Sequence, residues 1–260
     1  MPTVLALFAH PDDIEFHASG TLLQLGRRGW DLHYCNISSG NLGSTTTPPA
    51  KTATLRKAEA RASAKILGAT WHPPFCHDLQ VFYTDENIRR VCALIRSVQP
   101  TILLTHPAQD YMEDHMATCR LAVSGAFARG VPFYKSKPPK PSTLTPVTLY
   151  HSMPRGHQTP DRQPVHPDAY VNVAPVHAQR QAALSAHRSQ KEWLDLTQGP
   201  GSFLELLEHD SAELGRWSKK FTLAEAWHRH SHIGYCEAGD DPLKSALGKD
   251  WCANPRRTAH

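Results

Sequence analysis

The chain has 260 residues, of which 40% are hydrophobic and 20% charged, and a net charge of +4 at pH 7. That length suits one large domain, or a domain with an appended lobe, and supports a substantial core. The charge is too small and too scattered for a nucleic-acid surface, and no run approaches the roughly 20 apolar residues of a membrane helix. No basic segment precedes the first apolar run, so a secretory signal is not expected and the cytoplasm is the expected compartment. The six cysteines form no C-x-x-C pair and read as reduced thiols, several of them core fillers.

The first predicted element is a strand over Val4 to Ala9, a continuous apolar run stopped by Pro11. It ends in His10, Asp12 and Asp13. In an open α/β sheet the carboxyl end of a strand is where ligands bind. Two adjacent carboxylates would repel a phosphate, and no G-x-G-x-x-G follows, so a nucleotide site is not indicated. An imidazole beside two carboxylates suits a hydrolytic metal ion, with one carboxylate left over as a base.

Ala18 to Arg28 reads as a helix, Leu32 to Ile37 as a strand, and Thr54 to Leu67 as a helix stopped by Gly68. Trp71 to Phe75 is a short strand, Asn87 to Ser97 a helix, Thr101 to Thr105 a fourth strand, and Glu113 to Arg129 a helix. This alternation predicts an α/β fold: a Rossmann-like, mainly parallel sheet with helices on both faces. Prolines recur between Val131 and Pro167, an irregular excursion of the kind that forms functional rims or oligomer contacts, with Val147 to Tyr150 as one further strand. Helical patterns resume at Val176 to Leu194 and around Phe203 to Trp217, and the tail from Lys244 reads as surface or a poorly ordered end. We expect a single domain, with residues 1–130 carrying the site and 131–260 adding the Pro-rich segment and C-terminal strands and helices that complete the cleft.

The fourth strand ends in Thr105-His106-Pro107, and a loop leads to Asp110-Tyr111-Met112-Glu113-Asp114-His115 at a helix start. The first and fourth strands of such sheets are commonly central neighbours, which would gather His10, Asp13 and His115. Two histidines and a carboxylate leave one position of a tetrahedral zinc site open, the pattern of a catalytic centre, and Asp12 can take the proton of a water there.

The sequence resembles the PIG-L or LmbE-like zinc N-deacetylases, the family of the mycothiol and bacillithiol biosynthetic deacetylases. The resemblance rests on Ala9-His10-Pro11-Asp12-Asp13, Gly20-Thr21-Leu22, Gly40-Asn41-Leu42-Gly43-Ser44, Arg56 with Glu59, Leu67-Gly68, Asp78-Leu79 and Asp114-His115. It continues through Ala183 to Gln190 and Glu225-Ala226-Trp227. It implies one zinc ion per chain on His10, Asp13 and His115, Asp12 as general base, and sugar-hydroxyl contacts from Arg56 and Asp78. Iron(II), nickel(II) or cobalt(II) also suit such a ligand set. The implied reaction removes the N-acetyl group of an N-acetylglucosamine-type amino sugar or its glycoside, a small-molecule partner, with homo-oligomerisation left open. Alternatives are an amidase acting on a thiol–sugar conjugate and a sugar-binding pseudoenzyme.

One departure stands out. The family often carries a histidine three positions before the last ligand, and here that position is Met112, whose thioether cannot donate a hydrogen bond. His106 and Tyr111 are the nearest candidates for a replacement oxyanion donor, and His187, His230 and His232 are later ones.

Overall fold

The computed structural model describes residues 1–190 and 202–255. One sheet of eight strands runs through them. Its strands are β1 (Thr3–Phe8), β2 (Asp31–Asn36), β3 (Thr70–His72), β4 (Ile102–Thr105), β5 (Thr148–Ser152), β6 (Ala169–Asn172), β7 (Ala224–Arg229) and β8 (Trp251–Ala253). The spatial order is β3-β2-β1-β4-β5-β7-β6-β8. The first five in space are parallel, and β7, β6 and β8 join antiparallel. The predicted neighbours β1 and β4 pair directly, with Leu7 opposite Thr105.

Around the sheet lie α1 (Asp13–His17), α2 (Ser19–Gly26), α3 (Pro49–Leu67), α4 (Asp85–Val98), α5 (Glu113–Ala128), α6 (His177–Leu184), α7 (Ser202–Ser218) and α8 (Pro242–Leu247). Successive β1 side chains point to opposite faces, and each face has its own core. Val4, Ala6 and Phe8 pack with Leu22, Ala60 and Ala64 of α2 and α3, while Leu5 and Leu7 pack with Val91, Ile95, Leu121 and Ala122 of α4 and α5. Burial on both faces is why β1 reads as an unbroken apolar run rather than an alternating one.

Helix boundaries follow local chemistry. Thr84 caps α4 by accepting the Asn87 N–H, and α3 stops at Gly68, whose φ of 73° lies in the left-handed region that glycine enters without a Cβ clash. The helix predicted from Ala18 begins earlier: α1 starts at Asp13 and breaks at Ala18 before α2. The helix predicted over Val176 to Leu194 ends at Leu184, and its positions from Lys191 onward lie outside the described residues. The irregular stretch after α5 is held by Arg96, whose guanidinium donates to the carbonyls of Ala128, Arg129, Val131, Tyr134 and Lys140.

The tail is a correction. Residues from Pro242 build α8, with Leu243 and Leu247 buried, and β8, which pairs with β6. Two leucines four apart supply the apolar stripe that seats α8 on the core. The antiparallel half is also tied to the front of the chain. Glu225 on β7 accepts the amide hydrogens of Gly20 and Thr21 at 2.7 Å and the Thr21 hydroxyl at 2.6 Å, and Arg180 pairs with it at 3.2 Å. Among the described residues no helix is long and apolar enough to cross a membrane, and all six cysteines are free.

Candidate metal and catalytic site

The carboxyl ends of β1 and β4 open onto a cleft of about 280 Å³ lined by His10, Asp12, Asp13 and His115 with Arg56, Asp78, Tyr111 and Met112. At the end of β1 the chain turns sharply. The Asp13 N–H bonds to the His10 carbonyl at 3.2 Å, and the Asp13 carboxylate accepts the His10 N–H at 2.6 Å. Asp12 sits at the start of α1 with φ at 111°, a conformation that costs a non-glycine residue of order 1–3 kcal/mol and persists only where surrounding contacts impose it. Asn36 from the end of β2 is one such contact, donating to the His10 carbonyl at 2.6 Å.

One ligand atom each from His10, Asp13 and His115 lies within 4.8 Å of the others. The far nitrogen of each imidazole is occupied by a carboxylate. His10 Nε2 lies 3.0 Å from Asp114, and His115 Nδ1 lies 3.2 Å from Asp110. With those nitrogens protonated, His10 Nδ1 and His115 Nε2 face Asp13 at 3.4 and 3.5 Å with their lone pairs free. Carboxylate–imidazole pairs of this kind fix the tautomer and ring orientation of metal-binding histidines. The residues therefore fit a divalent ion. The electrostatics agree: burial works against a charged His10, yet Asp114 and Asp13 outweigh it and push the ring up to about 10. The acidic groups thus favour a cation at this point. Asp13 is itself held well below the usual carboxylate range, burial being outweighed by His115 and His106.

Asp12 is different. Burial pushes it up to about 6, although the Arg56 guanidinium 3.4 Å away works in the opposite direction. Arg56 is almost fully buried, donating to the Pro11 carbonyl and, at 3.3 Å, to that of Gly40. The loop Gly40-Asn41-Leu42-Gly43 wraps this side chain so closely that a Cβ on Gly40 would lie 2.7 Å from the guanidinium carbon. Asp78 does not pair with Arg56. Its carboxylate takes the Ser38 hydroxyl and, at 2.8 Å, the Leu42 N–H, which shapes the same loop. Both residues line the cleft, and each is already engaged in building it.

The donors expected from the sequence lie in different places. Tyr111 stands at the rim, 60% exposed, its ring edge-on to His115. His106 is wholly buried behind the ligands and does not line the cleft. Its Nε2 sits between the Ala9 N–H at 3.0 Å and Asp13 at 3.2 Å, and its ring stacks on His115 with centroids 4.0 Å apart. His106, Asp110 and His115 also bring ligand atoms within 4.8 Å, but the Ala9 amide already occupies His106 Nε2. His187 lies in the core, 3.3 Å from Glu15, and His230 bonds to His151 at 3.0 Å in a separate depression shared with His232. Trp227 is core, donating its indole N–H to Thr21, whereas Trp193 lies outside the described residues.

Several cleft residues escaped sequence reasoning. Asp110 and Asp114 orient the two histidines, and Asp114 also accepts the Leu79 N–H at 2.8 Å. His17, Gln190, Arg155 and Asp210 complete the wall. The spacing of Asp13 and His17, one helical turn apart on α1, was the available signal for His17.

The fold and the site together define an α/β protein with a candidate His/Asp/His metal centre at the carboxyl edge of its parallel strands. Residues 5–126 match the family model described as PIG-L: GlcNAc-PI de-N-acetylase, and over that part the chain is similar to this family. It is 25% identical over 197 residues to a 4-oxalmesaconate hydratase of Pseudomonas putida, covering 73% of this chain and 74% of that protein. It is 28% identical over 200 residues to a probable N-acetyl-alpha-D-glucosaminyl L-malate deacetylase 2 of Bacillus cereus, covering 73% and 84% respectively. Among solved structures, the Pseudomonas putida 4-carboxy-2-hydroxymuconate hydratase superposes with a TM-score of 0.72 at 22% identity, over 93% of this chain and 99% of that one. The N,N'-diacetylchitobiose deacetylase of Pyrococcus horikoshii gives the same TM-score at 20% identity, over 93% and 88%.

Proposed function

We propose that the protein is a metal-dependent hydrolase that removes the N-acetyl group of an N-acetylglucosamine-type amino sugar or its glycoside. The observation that carries this reading is the placement of Asp12: a buried carboxylate lining the cleft beside the ligand set and 3.4 Å from Arg56, which a plain cation-binding or sugar-binding site has no use for. A general base works best with a pKa near the working pH. A divalent ion on His10, Asp13 and His115 would supply Lewis acidity and make water a better nucleophile. Asp12 takes the proton of the attacking water as its oxygen bonds to the acyl carbon. It then returns that proton to the nitrogen as the carbon–nitrogen bond breaks, leaving acetate and the free amine. Arg56 keeps Asp12 ionised and in place, and Asp78 holds the loop whose Leu42 and Gly43 form one wall for the sugar. The deacetylase named for the Bacillus cereus relative acts in this class of reaction.

The test is acetate release from a panel of N-acetylated sugars by zinc-loaded protein, with the metal-stripped protein as control. Acetate that appears only with the metal supports the reading, and no acetate from any member of the panel refutes it. A second reading, a hydratase, is favoured by the relative of that name and by Met112, since the donor often found in the deacetylases is missing. It predicts consumption of 4-oxalmesaconate, followed by ultraviolet absorbance, with no acetate released.

A further inference from the structure

Water addition to an amide places a full negative charge on the former carbonyl oxygen, and removal of one donor to such an oxygen typically lowers turnover 10²–10³-fold. A donor in the cleft would contribute that factor beside the metal, and the Met112 thioether cannot be one. His17 lines the cleft together with His10, Asp13 and His115. It follows Asp13 by one turn on α1, and residues four apart on a helix share a face. Its ring is fixed flat over Phe8, with centroids 6.2 Å apart and planes within 5°, and edge-on to His106 at 5.9 Å. His17 makes no side-chain hydrogen bond to any described residue. An imidazole carries at least one N–H in either protonation state, so His17 can donate whether neutral or charged.

We propose that His17 is the donor to the oxygen that becomes negative as water adds to the acyl carbon. The assignment rests on the hydrolase reading and adds a residue to it. The electron pair of the C=O bond moves onto that oxygen, the His17 N–H holds it there, and the pair returns when the carbon–nitrogen bond breaks. The other candidates are placed less well. His106 is shut away from the cleft, and Tyr111 stands at the rim, where 60% of it is open to water. Burial, helped by His115, holds the His17 ring below its ordinary value against the pull of Asp13, Asp110 and Asp210.

The experiment compares wild type, His17→Ala, His17→Gln, Tyr111→Phe and Arg155→Ala, all zinc-loaded, by metal content, by methylphosphonate binding in a calorimeter, and by acetate release. Methylphosphonate presents tetrahedral oxygens like those of the adduct. In His17→Ala, turnover should fall 10²–10³-fold with KM changed less than threefold, methylphosphonate should bind at least tenfold more weakly, and zinc content should stay at the wild-type level. His17→Gln, which keeps an N–H donor, should recover part of both losses. Turnover and methylphosphonate binding within threefold of wild type in His17→Ala would overturn the assignment. So would loss of zinc from that variant, or a larger loss in Tyr111→Phe or Arg155→Ala. If wild type releases no acetate yet binds methylphosphonate in a His17-dependent way, the hydrolase reading falls and His17 is left as a donor to a bound anion, not to a reacting oxygen.

Discussion

Replacing Arg56 with methionine removes a charge from beneath Asp12, the proposed base, while keeping most of the side-chain volume. Arg56 Nη2 lies 3.4 Å from the Asp12 carboxylate, and both side chains are nearly sealed from water. At that distance, with an effective dielectric of about 20, the attraction between unit charges is about 5 kcal/mol. That is an upper bound, because solvent and the carbonyls of Pro11 and Gly40 share the guanidinium. Opposite charges this close lower a carboxyl pKa by about 1–3 units, and losing the partner reverses that. Asp12 accepts a proton only as the carboxylate, so the inactive, protonated form would persist to higher pH. The acidic limb of the kcat/KM profile should therefore move up by about 1–3 pH units relative to wild type, with turnover depressed at pH 7 and recovering above the new limb. Arg56→Lys, which keeps the charge but loses the planar fork, should move it less. Breaking a buried pair also costs about 3–5 kcal/mol of stability, so the profile is taken at a temperature where melting curves show the variant folded. A limb that stays with wild type while the plateau falls would mean that Arg56 acts on substrate and not on the base.

Zinc-loaded Asp12→Asn should retain the metal, measured by atomic emission, and lose turnover by a factor of about 10² or more. Asp114→Ala removes the acceptor that fixes the His10 tautomer, and competition with a chelator should show zinc bound about 10–100-fold more weakly. Leu247→Ala tests the C-terminal packing. The side chain is buried, so the loss should be about 2–5 kcal/mol, with Tm falling by about 2–4 °C for each kcal/mol, and turnover at 25 °C should be unchanged.

Much of the first half was legible in the sequence, because its signals are local. Val4 to Ala9 is apolar throughout as only a doubly covered strand is, and Gly68 marks the end of α3. The later strands were not legible. β6 has four residues and β8 three, and β7 reads Ala-Glu-Ala-Trp-His-Arg, with a glutamate whose partners Gly20 and Thr21 lie some two hundred positions earlier. Their burial comes from tertiary pairing, which leaves little periodicity in so short a run. The site divides in the same way. His10, Asp12 and Asp13 stand where an apolar strand stops, which any reader of strand ends will notice. Asp114 looks like one more acidic residue in a first helical turn, and only the fold brings it to His10, 104 positions away. His106 misleads for a related reason: it also ends a strand, but its side chain points into the layer behind the ligands.

The clasp of Glu225 on Gly20 and Thr21 gives the protein an order of assembly. All three candidate ligands lie within the first 115 residues, yet the helix pair that carries Asp12, Asp13 and His17 is pinned at its centre by a strand near the far end of the chain. A contact across 205 positions closes late, because the entropy of so long a loop must be overcome before its bonds form. During synthesis the ligands would emerge long before the part that holds them in register, so tight metal capture would mark the completed fold and not the nascent one.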